Sequence, residues 1–179
     1  MPGLGGNQDH FRWLARSLSM EGWPVILLEH PGSDAKAVQG LLEGIRPAPG
    51  AEVLPERLLD LNAVLKAREN GQLKVPGSQL VLMGHSLGAL TAFFASGAIP
   101  EPGLDKRCEI ALGGLSLTNF SQLLQCQLVD VHIEPQPKIN NLAAIIAING
   151  FGKLLWPGNG ELQFSVPVLL TGGTLDLIT

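Results

Sequence analysis

The sequence predicts an α/β protein: a mostly parallel sheet with helices on both faces, in one domain spanning residues 1–179. Three observations predict it. Continuous apolar runs of strand length occupy residues 24–29, 79–83, 141–149 and 167–171, and such runs mark strands buried on both sides, as parallel strands are. Between several of them lie longer stretches with apolar residues at helical spacing, and that alternation is the mark of crossover units. The chain is 45% hydrophobic and 16% charged over 179 residues, enough apolar material for a real core and unlike a disordered segment.

The elements follow in order. Residues 1–6 form a glycine-rich loop with no strand before it. Residues 9–21 set Phe11, Leu14, Ala15 and Leu18 on one helical face and end at Gly22, a helix stop. The run 24–29 is read as a buried strand, and the turn-rich residues 30–34 as its loop. A polar stretch rich in Pro and Gly covers 35–51, and 54–68 places Leu58, Leu61 and Leu65 on one face of an amphipathic helix. Residues 101–139 are read as an irregular insertion over the sheet edge, with one or two helices near 121–129 and prolines at Pro135 and Pro137. The runs 141–149 and 167–171 complete the strands.

Several function classes fall away. A net charge of -4 without Lys/Arg clusters argues against a nucleic-acid partner. The longest apolar run, 142–148, falls far short of the ~18–20 residues of a membrane span. Cys108 and Cys126 fit neither a metal spacing nor a C-x-x-C pair and are read as reduced, buried thiols. The compartment and the oligomeric state stay open.

One motif carries chemistry. Gly84-His85-Ser86-Leu87-Gly88 stands between the apolar run 79–83 and the small, apolar helix 89–98. With 22 glycines in the chain, a bare G-x-S-x-G arises by chance in about one chain in six or seven of this composition, so the flanking strand and helix give it its weight. Strand, G-x-S-x-G, helix is a nucleophile elbow: the turn is too tight for side chains beside the serine, which lifts the Ser86 hydroxyl off the strand end. The helix start lends free N–H groups to a developing oxyanion, that of Leu87 first.

These residues resemble the α/β-hydrolase superfamily, and within it the bacterial, especially cyanobacterial, esterases of the dienelactone-hydrolase and platelet-activating-factor-acetylhydrolase type. Residues 3–11 look like that family's oxyanion loop and first helix, 28–33 like its next strand and loop, and 166–176 like the strand and loop that deliver the triad acid. The segment 122–126 is also similar to cyanobacterial members, and the likeness covers nearly the whole chain.

The resemblance implies a serine esterase with Ser86 as nucleophile and Asp176 as acid, in the superfamily order Ser, Asp, His. It places the second oxyanion donor at the Leu4 N–H, although Pro2-Gly3 stands where the family has His-Gly. Some relatives carry the acid after the preceding strand, a position that is Asn149 here. No metal or cofactor is implied; the partner is a small-molecule or lipid ester.

The base is the gap. The family's histidine follows the acid strand, whereas this chain ends at Thr179. His85 is read as packing beside the sheet, His10 as a cap or surface residue, His30 as a brace on the active-site side and His132 as exposed. The chain therefore reads as the middle of a longer hydrolase, incomplete at both ends. Three functional readings follow: a serine esterase, a lipase-type acyl hydrolase with 101–139 as a lid presenting Leu115, Leu117, Phe120, Leu123 and Leu124, and a non-catalytic remnant that at most binds ligands. Without a base Ser86 is an ordinary alcohol at neutral pH, with only the residual help of oxyanion donors.

Overall fold

The computed structural model describes residues 1–44, 49–113, 120–158 and 164–173. It is an α/β structure on a small parallel sheet of three strands, β1 (Leu80–His85), β2 (Leu142–Ile148) and β3 (Val168–Thr171), in that order. Met83 pairs with Ile146, and Ile146 with Leu169. The described helices are α1 (Arg12–Met20), α2 (Ala35–Leu42), α3 (Leu54–Glu69), α4 (Leu87–Ala95), α5 (Leu104–Gly113) and α6 (Phe120–Cys126), with short 3-10 turns before α1 and α3.

The centre of the molecule is α4. All nine of its residues are buried, as a helix that is apolar on every side requires. It lies on β1 and β2, where Leu82, Gly84, Ile145 and Ala147 face it, and α3 packs on its outer side through Leu54, Leu58 and Leu61. Pro55 sits in the first turn of α3, where a missing N–H costs nothing.

The structure differs from the sequence expectation in several places. The run 24–29 is not a strand: it forms no ladder, and Val25 and Ile26 are each 37% exposed. An apolar run becomes a strand only where a neighbour takes its backbone groups. The free edge of β1 is instead met by Met1, whose carbonyl accepts the His85 N–H at 3.1 Å while its amino nitrogen donates to the Met83 carbonyl at 2.8 Å.

Helices on both faces are not seen among the described residues either. The face carrying Met83 and Ile146 is half-buried, and β3 leaves Leu169 and Leu170 55% and 67% exposed. Helix α2 arises inside the stretch read as polar and rich in Pro and Gly; the Asp34 side chain accepts the Ala37 N–H at 2.9 Å and so starts it.

The segment 101–139 also holds more order than expected. Cys108 and Cys126 are joined in a disulfide, not reduced, which ties α5 to α6. Sequence spacing could not show this, because the two thiols meet only when two helices pack. Arg107 adds a second tie, donating to the carbonyls of Leu154 at 2.6 Å and of Glu101 and Pro102 at 2.7 Å. Within α6, buried Gln125 accepts the Leu154 N–H at 2.7 Å and joins this segment to the chain after β2. No helix among the described residues is long and apolar enough to cross a membrane.

Candidate active site

Ser86 stands at the carboxyl end of β1, half-buried, as the residue before α4. Its backbone has φ 51° and ψ -120°, a region that costs a non-glycine residue about 1–3 kcal/mol. The turn is held from both sides. The Ser86 N–H reaches the Ile148 carbonyl at 2.9 Å, and the Ser86 carbonyl accepts the N–H of Ala89 at 2.9 Å and of Leu90 at 3.2 Å. Those bonds begin with Ala89, so the Leu87 N–H lies in the first turn of α4, where helical N–H groups have no intrahelical acceptor.

Close approach explains the two glycines of the motif. A side chain at Gly84 would run into the Gly88 carbonyl, and one at Gly88 would run into the Met1 carbonyl and stand 2.7 Å from that of Pro2. The loop 1–6 therefore lies directly on the first turn of α4. A Cβ on Gly3 would come within 3.0 Å of the Ser86 Cβ. Leu4 follows in a tight turn closed by the Gly6 N–H on the Gly3 carbonyl at 3.1 Å, with Gly5 at φ 70°. Gly3, the residue before Leu4, is thus brought against Ser86 although more than 80 positions separate them in the chain. Asp176 lies outside the described residues, as do Leu115 and Leu117; Asn149 directly follows β2, its N–H on the Thr171 carbonyl at 2.7 Å.

The histidines divide by environment. His10 is exposed, its backbone N–H capped by Asn7. His132 is exposed beside Glu134. His85 is half-buried, its ring 5.7 Å from that of Phe11. His30 is fully buried, with Nδ1 3.1 Å from the Asp60 carboxylate. Burial, and then the nearby Arg57 charge, hold its pKa down at about 3, so the ring is neutral at ordinary pH. Contact with Asp60 selects the Nδ1–H tautomer, which leaves a bare Nε2 that meets no hydrogen-bond donor among the described residues. Burial also raises the Asp60 carboxyl, against the pull of Arg57.

Sequence reading passed over the residue with the densest polar contacts here. Arg57 is 1% exposed. It donates from Nη2 to the Pro2 carbonyl at 2.6 Å, from Nη1 to Ser33 Oγ at 2.7 Å and from Nε to Thr91 Oγ1 at 2.9 Å. Burial lowers its pKa to about 10, with Asp60 opposing the shift, so it remains a cation at neutral pH. One signal was available: Arg57 sits between Leu54, Leu58 and Leu61 at i+3/i+4 spacing, on the apolar face of α3.

Among the described residues no group of three His, Cys, Asp or Glu side chains is arranged to hold a metal ion. Compared with known proteins, the chain matches no family model, no curated protein and no solved structure.

Proposed function

We propose that the chain is a serine hydrolase of the α/β-hydrolase type, acting on carboxylic esters. The carrying observation is the turn at Ser86: a serine held at positive φ between a parallel strand and a buried helix, with loop 1–6 packed against that helix's first turn. In this reading the Ser86 hydroxyl attacks the ester carbonyl as a base takes its proton, the Leu87 and Leu4 N–H groups receive the oxyanion, the alcohol leaves with that proton, and water then releases the carboxylic acid from the acyl-enzyme. Asp176 is the acid that orients the base. Of the four histidines, His30 is sealed from substrate and His10 and His132 sit on the exposed surface; none is assigned the base.

A specific observation favours a second reading, a non-catalytic remnant that at most binds ligands: His30, buried after the unladdered run 24–29, is bonded to Asp60 and has no hydrogen-bond contact with Ser86. Fluorophosphonate labelling of the 179-residue chain separates the two, with circular dichroism to confirm folding and Ser86→Ala as control. Labelling of the folded wild type at least ~10³-fold faster than the control would mark Ser86 as activated, with its base among the chain's four histidines. A folded chain labelled no faster than the control supports the remnant.

A further inference from the structure

We propose that Arg57 is the positioning residue of the oxyanion site, one guanidinium setting both donors; the proposal rests on the hydrolase reading above. Leu4 is fixed on each side by this one group. On the N-terminal side Arg57 Nη2 holds the Pro2 carbonyl at 2.6 Å. On the C-terminal side the Gly5 N–H donates to the Ser33 carbonyl at 2.9 Å, and Ser33 is itself held by Arg57 Nη1 at 2.7 Å. The Ser33 hydroxyl donates to the His30 carbonyl at 3.3 Å, which pins the second loop.

Leu87 is reached along a different arm. Arg57 Nε donates to Thr91 Oγ1 at 2.9 Å, and the Thr91 hydroxyl donates to the Leu87 carbonyl at 2.8 Å. The planar fork of the guanidinium thus sets the separation between loop 1–6, loop 30–34 and the first turn of α4. Two donors on unrelated stretches of chain must be held to within about half an ångström to serve one oxyanion, and a fork rigid in its own plane does this more fully than a flexible ammonium.

None of the three acceptors is a carboxylate, so hydrogen bonds to neutral groups offset the cost of burying this cation, and the groups it touches are those that frame Ser86.

The experiment compares fluorophosphonate labelling of Ser86 and backbone hydrogen exchange in the wild type, Arg57→Met, Arg57→Lys and Thr91→Val. Expected is a fall in labelling of about 10²–10³-fold in Arg57→Met, partial recovery in Arg57→Lys, and faster exchange at residues 3–6 while β2 keeps its protection. Loss of protection everywhere would mark a purely structural residue and overturn the proposal. If Arg57→Met does not fold, Thr91→Val decides: it removes only the arm to Leu87, and a wild-type labelling rate there overturns the proposal. A wild type labelled fast, with Arg57→Met folded and equally fast, overturns this proposal alone. A folded wild type labelled no faster than Ser86→Ala overturns the hydrolase reading and this proposal with it.

Discussion

His30 shows how one side chain ties the site to pH. Its pKa in the folded protein is about 3, lowered first by burial and then by Arg57, against about 6.5 in an unfolded chain. Between those values the unfolded state binds a proton that the folded state does not, so stability is complete above about pH 6.5 and falls as the solution is acidified. The slope is about 1.4 kcal/mol per pH unit once the unfolded histidine is fully charged. Asp60, with its pKa raised, acts in the opposite direction. The effect is therefore read as a difference between wild type and His30→Gln, with Asp60 present in both. Urea titrations at pH 4.5 and 7 should show the wild type losing more stability on acidification than the variant. Equal losses would mean that His30 is not held neutral.

The helices of segment 101–139 depend on ties more than on burial. In α5 only Cys108 is buried, while Ile110 is 81% exposed, so periodicity alone could not mark this helix. The disulfide closes a loop of sequence separation 18, worth about 3 kcal/mol in the chain-entropy account. Cys108→Ser should lower the unfolding free energy by about that amount. In hydrogen exchange the loss of protection should concentrate in α5 and α6 rather than in β1 and α4. Uniform loss would place the tie inside the main cooperative core. Helix α2 and the run 24–29 are the reverse pair at this scale. A weakly patterned stretch became a helix because Asp34 caps it, and a strongly apolar run stayed unladdered because no strand among the described residues lies beside it.

At the scale of the whole molecule, stability centres on α4 between the sheet and α3. Leu90 is 0% exposed there, so Leu90→Ala should cost about 2–5 kcal/mol, measured by urea denaturation at pH 7. A cost under 1 kcal/mol would mean that this layer is not tightly packed. Much of this plan was legible in the chain itself. Short-range pattern settled the α/β class, β1, β2, β3, α3 and α4, and the glycine spacing around Ser86 marked the turn, because strand and helix periodicities and tight turns are local properties. What sits around that turn was not local. The meeting of loop 1–6 with α4, the Cys108–Cys126 disulfide, the absence of a ladder at 24–29 and the Arg57 hub each join residues far apart in sequence. Only packing decides them: a buried cation, a thiol pair or a strand partner is defined by what chain folding brings within a few ångströms, and periodicity carries no record of that.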